Sequence, residues 1–269
     1  MSSWQRVRSG MVVWVLVVIG CGGGKPQDVS ATDQADEAVS SAPMALAQAP
    51  AGSQPAAGGE SAGVRGTVRF EGTAPVMEKI KMDADPVCRQ QHAAPMVSEE
   101  VAVSSDGALK NVLIYVKDGA QGTFPTPAAA VTLDQSGCWY RPHVFGIQVN
   151  QPLEIVNSDA TLHNINAKPT VNPPFNIAQP VQGMKTTKKF AKPELPVKFK
   201  CNVHPWMSAY AGVFEHPFFS VSGADGSFAI TGLPAGTYVL EAWHETYGTQ
   251  TQTVSVADGD TKAVDWTFK

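Results

Sequence analysis

The chain has 269 residues, 43% of them hydrophobic and only 16% charged, with 24 glycines, 20 prolines and four cysteines. So much Gly and Pro argues against a long helical bundle or coiled coil, and a formal net charge of −4 gives none of the basic excess that nucleic-acid binding needs. Four cysteines are too few for a disulfide-dense miniprotein, and they are not spaced as a zinc ribbon.

The chain opens with Arg6 and Arg8, then runs apolar from Met11 to Ile19. That run is about half the length needed to span a bilayer, so residues 1–20 read as a secretory signal. Its end, Val18-Ile19-Gly20-Cys21, resembles the lipobox of bacterial lipoproteins. The resemblance implies cleavage before Cys21, lipidation of its thiol and an anchor in the bacterial cell envelope. Gly22 in place of Asp favours the outer membrane. Residues 21–62 are Ala, Gly, Ser, Pro and Gln with a few acids and no aromatic side chain. Such a segment buries too little apolar surface to offset its chain entropy and reads as a disordered tether. About 40 residues of this kind span on the order of 35 Å.

From Gly63 onward, period-two alternation replaces helical periodicity. Strands are expected at Val64–Phe70, around Val112, Ile114 and Val116, at Val144–Val149 and at Leu153–Val156. Turns fall at Asp106-Gly107, Asp118-Gly119 and Asn150-Gln151-Pro152. Short strands without helical crossovers predict an antiparallel sandwich or barrel. Cys88 and Cys138 lie in this part. Export places them in an oxidising compartment, where they are expected to pair. The rival is a second metal site using Cys138 and His143.

Val197, Phe199 and Cys201 share one face of a strand whose other face carries Lys198 and Lys200. The thiol therefore points inward at the strand end. The loop that follows brings His204 and Met207 within seven residues of it. Thiolate, imidazole and thioether form a soft set that suits copper better than magnesium or calcium. A trigonal copper site needs a second imidazole. His163, after the strand Leu153–Asn157 and before a polar loop, is placed to supply it.

Cys201-x2-His204-x2-Met207, with Pro205 after the His, resembles the ligand loop of the amicyanin branch of the cupredoxins. The segment Asn157–Asn164 is similar to the one carrying their first ligand, except that Leu162 stands where Pro is usual. The resemblance runs from about Gly107 to Glu215. It implies a Greek-key cupredoxin-like sandwich holding one mononuclear copper by His163, Cys201, His204 and Met207. It also implies that Asn164 hydrogen-bonds across to the cysteine loop, and that Pro205 and Trp206 form an apolar rim through which electrons pass. His216, close behind the loop, is the alternative ligand. The opening GTVRFEGTAP resembles the starts of bacterial methylamine-utilisation-like periplasmic proteins.

Beyond residue 217, turns at Asp225-Gly226 and Pro234-Ala235-Gly236 separate alternating strands that end on Val264, Trp266 and Phe268. The string DGSF…LPAGTY…AWHE resembles the carboxypeptidase-regulatory-like, or transthyretin-like, β-sandwich module, usually a non-catalytic addition. The expected architecture is therefore all-β: signal 1–20, tether 21–62, extended cupredoxin-like domain 63–216, and a small sandwich 217–269 with its own core.

The expected function is one-electron transfer by a lipid-anchored copper protein with a partner such as a c-type cytochrome. No nucleophile, acid-base or phosphate-binding motif points to an enzyme. The clustered Lys185, Lys188, Lys189, Lys192, Lys198 and Lys200 read either as a docking patch for an acidic partner or as a solvated face. The alternative function is a cell-surface module binding carbohydrate or protein, with glycan taken by the C-terminal sandwich. A weaker third reading is copper storage or delivery.

Overall fold

The computed structural model describes residues 62–269. The expected signal, tether and lipidated Cys21 lie outside the described residues. No helix among the described residues is long and apolar enough to cross a membrane.

The described chain is all-β apart from one short helix. Two sheets build the part that holds the ligand loop. One runs β5 (Val144–Gln148), β11 (Ser208–Phe214), β10 (Glu194–Lys200), β7 (His163–Lys168), β8 (Phe175–Gln179). The other runs β4 (Tyr140–Arg141), β3 (Val131–Gln135), β6 (Leu153–Asn157), β9 (Lys185–Lys188). Their core joins Leu133, Leu153 and Ile155 to Ile165, Val197, Phe199, Ala209 and Val213. Val197 and Phe199 are fully buried, as the alternation required, and the periodicity delivers Cys201 to the same interior.

Two features depart from the expected layout. The sheets are mixed, since β5 pairs with β11, and β3 with β6, in parallel. His163 does not precede a loop either: it opens β7, paired with Gln179 of β8. The sequence HNINAK hid this strand because Asn164 is a buried polar residue rather than an apolar one.

The expected boundary at 216/217 does not separate two cores. β1 (Gly63–Phe70) pairs with β13 (Ser227–Thr231), β16 (Thr261–Ala263) and β17 (Trp266–Phe268). β2 (Leu113–Asp118) pairs with β12 (Phe219–Val221) and with β14 (Gly236–His244), and β14 forms a hairpin with β15 (Gly248–Val256). Val64, Val68, Leu109, Val112 and Ile114 share one core with Phe228, Ile230, Leu240, Trp266 and Phe268. The C-terminal segment alone leaves this apolar surface uncovered, so the front of the chain completes it. Gly66 permits the approach, because a Cβ there would stand 1.8 Å from the Val264 carbonyl oxygen. The Asp225-Gly226 turn needs Gly226 at φ +74°.

The two sandwiches meet across Leu113, Val144, Tyr210, Phe214 and Trp243. His143 also crosses the junction. Its Nδ1 lies 3.0 Å from the Ser208 carbonyl oxygen, and its Nε2 meets the Glu245 carboxylate.

Candidate metal centre

The loop between β10 and β11 is closed by its own backbone. The amide of Cys201 donates to the Met207 carbonyl at 3.2 Å, and the amide of Met207 donates to the His204 carbonyl at 3.0 Å. The His204 amide points at the Cys201 sulfur at 3.3 Å. A loop this tight turns Cys201, His204 and Met207 inward together. Their residues are 3%, 2% and 0% exposed.

His163 arrives from the end of β7, the strand beside β10. Its Nδ1 lies 2.9 Å from Nδ1 of His204, and the Cys201 sulfur lies 3.9 Å from that same nitrogen. One ligand atom from each of His163, Cys201 and His204 falls within 4.8 Å of the others. Met207 packs in the same core cluster as Cys201. Two imidazoles and one thiol therefore gather at one point, with the buried thioether of Met207 at the end of the same loop, a donor chemistry that fits copper.

The geometry also divides the other expected residues. Asn164 Oδ1 accepts from the Asn202 amide and sits 3.5 Å from the Cys201 sulfur, which ties β7 to the ligand loop. Cys88 and Cys138 are bonded to each other, so neither offers a thiolate. His143 is spent on Ser208 and Glu245, which removes the rival site at Cys138 and His143. His216 points elsewhere, 2.8 Å from the Val116 carbonyl oxygen. Among the described residues Cys201 is the free cysteine.

A ring of further groups surrounds the ligands. His163 Nε2 lies 2.8 Å from Asp159 Oδ2, and His204 Nε2 lies 3.0 Å from Asp85 Oδ2. Asp85 caps the helix α1 (Pro86–Gln90), which carries Cys88. The Cys88 sulfur stands 3.5 Å from His204 Nε2. Trp206 packs against the His204 ring at 5.1 Å and donates its indole N–H to the Cys138 carbonyl at 3.0 Å. His204 is thereby covered by the segment around α1, while Pro205 is exposed and Trp206 half-buried. The one legible sign of that cap was Asp85 followed by Pro86, an N-cap residue before a proline at the first helical position.

The metal-free site holds separated charge. Burial opposes ionisation of the Cys201 thiol, but hydrogen bonds with His163 and His204 outweigh it and bring its pKa to about 5. Burial likewise opposes protonation of His163, but the Asp159 carboxylate and the Cys201 sulfur raise its pKa to about 9. At neutral pH the cysteine is a thiolate and His163 an imidazolium, with the extra proton on the Nδ1 that faces the other donors. Asp159 stays ionised below the usual carboxylate range: burial works against it, and hydrogen bonds from His163 and the amides of Cys138 and Gly137 prevail.

Tyr140 supports the site from beneath. Its buried hydroxyl donates to the Asn164 carbonyl at 2.5 Å. Replacing Tyr140 with Phe removes that bond and should cost about 1 kcal/mol, read from the denaturant midpoint at unchanged slope.

Three of the clustered lysines have partners. Lys185 pairs with Glu154 at 3.0 Å, while Lys188 and Lys198 stand over the rings of Phe175 and Tyr210.

Residues 215–269 match the family model of the carboxypeptidase regulatory-like domain. No curated protein matches the chain. Among solved structures, the chain is similar to the Cu-containing nitrite reductase (NirK) from Thermus scotoductus SA-01, at 27% identity and a TM-score of 0.28, over 38% of this chain and 25% of that one. It thus spans a quarter of that enzyme's length. It is also similar to a mutant of amicyanin in the Cu(I) state, at 17% identity and a TM-score of 0.28, over 31% of this chain and 81% of that one. A purple cupredoxin from Nitrosopumilus maritimus aligns at 21% identity and a TM-score of 0.27, over 32% of this chain and 98% of that one.

Proposed function

We propose that this protein is an envelope electron carrier that binds one copper ion through His163, Cys201, His204 and Met207. The observation that carries this reading is the convergence of His163 Nδ1, His204 Nδ1 and the Cys201 sulfur in a buried site beside Met207. Bound there, copper would supply a one-electron couple between Cu(II) and Cu(I). The residues supply the rest. Cys201 offers a sulfur already ionised at neutral pH. His163 comes from strand β7 and His204 from the backbone-closed ligand loop, so both are fixed before any metal arrives, which limits rearrangement on redox change. Met207 supplies a weak, soft fourth donor.

On this reading Cys21 carries the lipid anchor, residues 21–62 form the tether, and the partner is a redox protein such as a c-type cytochrome. The chain is a carrier and not an enzyme. The C-terminal sandwich, completed by β1 and β2, serves as the platform on which the copper unit stands.

Copper titration of the soluble part, residues 63–269, tests the reading. One equivalent of Cu(II) should bind and give an intense visible band from charge transfer between thiolate and metal. Cys201→Ser should remove that band entirely. A colourless wild-type protein that takes up no copper overturns the proposal.

A further inference from the structure

Both histidines of the candidate centre are held from behind by a carboxylate, and the two carboxylates are linked to each other. Asp159 uses Oδ1 on the Gly137 amide at 2.9 Å and Oδ2 on the Cys138 amide at 2.8 Å, and the same Oδ2 takes His163 Nε2. Asp85 uses Oδ1 on the Val87 amide at 2.8 Å, while its Oδ2 meets the Thr161 hydroxyl at 2.7 Å and His204 Nε2. Each carboxylate thus spans a backbone turn and an imidazole. One turn contains Cys88 and the other Cys138, and the disulfide joins them.

A carboxylate facing Nε2 selects the tautomer that carries its proton there. In the neutral ring Nδ1 is then left with a lone pair, on His163 once the second proton it carries at neutral pH has left, and the ring is locked in orientation. The two Nδ1 atoms face each other at 2.9 Å, and that of His204 lies 3.9 Å from the Cys201 sulfur. Capping of α1 explains the Oδ1 of Asp85 but not the placement of Oδ2 against His204 and Thr161.

We infer that Asp85 and Asp159 are positioning residues that aim Nδ1 of His204 and His163 at the metal, with the Cys88–Cys138 disulfide as the yoke between them. The inference rests on the copper reading, but its first test needs no copper.

In the metal-free, 15N-labelled protein, two-bond proton–nitrogen spectra should show His204 protonated at Nε2. Protonation of neutral His204 at Nδ1 alone overturns the inference, whatever the protein does with copper. Asp85→Ser provides the second test. Serine keeps the helix cap but is too short to reach His204 as well. The variant should fold with its disulfide intact, lose the fixed tautomer of His204, and bind copper 10–100-fold more weakly. Its reduction potential should rise, because a less basic imidazole favours Cu(I), and Asp85→Glu should recover part of the shift. A purely structural Asp85 would leave tautomer and potential at their wild-type values, and that result also overturns the inference. Failure of the wild type to take up copper would instead sink the function proposed above, with the tautomer result still readable.

Discussion

Replacing Cys88 and Cys138 together by alanine should lower the stability of the metal-free protein by about 4 kcal/mol. The two cysteines are 50 residues apart in sequence, and on the chain-entropy account a closed loop of that length restricts the unfolded chain by this amount. The folded state changes little at first, because both side chains are fully buried and alanine fits the space. What it loses is local. Only hydrogen bonds such as that of His92 Nε2 with the Gly137 carbonyl at 2.7 Å then tie the segment around α1 to the turn at Cys138, and Asp85 is held over His204 only by its own. Equilibrium urea unfolding of the metal-free wild type and the double variant checks the figure. The midpoint should fall sharply, and hydrogen exchange should quicken first around residues 85–92 and 137–139. A midpoint shift worth less than about 1 kcal/mol would show that the bridge closes nothing the fold does not already hold.

The disulfide also marks where sequence reading reached its limit. The ligands were legible because three of them sit within seven residues behind an alternating strand, and His163 follows a recognisable strand of its own. The pairing of Cys88 with Cys138 followed from compartment and from the lack of another role. Asp85 and Asp159 gave no such signal. Nothing local singles either out, Asp85 standing two residues after another acid, Asp83, and the histidine partner of each is fixed only once β7 and the ligand loop have come together. The same holds for the fold at large. Val64–Phe70 reads plainly as a strand, yet nothing local says that its neighbours are Ser227–Thr231 and Trp266–Phe268. Alternation states which face is buried and is silent about which strand covers it. A module boundary drawn by texture at residue 217 therefore follows the chain and not the core.

The charge separation at the site predicts how the metal-free protein responds to pH. His163 has an ordinary pKa of 6.5 and a folded value of about 9, so it favours the folded state at low pH and loses that advantage between 6.5 and 9. Cys201 has an ordinary value of 9.0 and a folded value of about 5, so it favours folding at high pH and loses that advantage as pH falls from 9 to 5. Between 6.5 and 9 the two slopes oppose each other, and stability should be nearly level. Between 6.5 and 5 the cysteine and His244, whose ordinary value of 6.5 is lowered by burial to about 4, both lose their advantage, and each should lower stability by roughly 2 kcal/mol. Urea midpoints of the metal-free protein from pH 5 to 9 measure this profile. Cys201→Ala separates the parts: the loss below pH 6.5 should fall by about half, leaving the share of His244, and stability should now decline above pH 6.5 because Asp159 still holds a proton on His163. Identical profiles for the two proteins would mean that the thiol is not ionised in the fold. The same proton has a second readout. With the sulfur already ionised at pH 7, copper uptake should release about one proton, from His163 Nδ1, and the number should fall toward zero above pH 9. Calorimetry in buffers of different ionisation enthalpy counts it, and a release near two at pH 7 would place a proton on the sulfur as well.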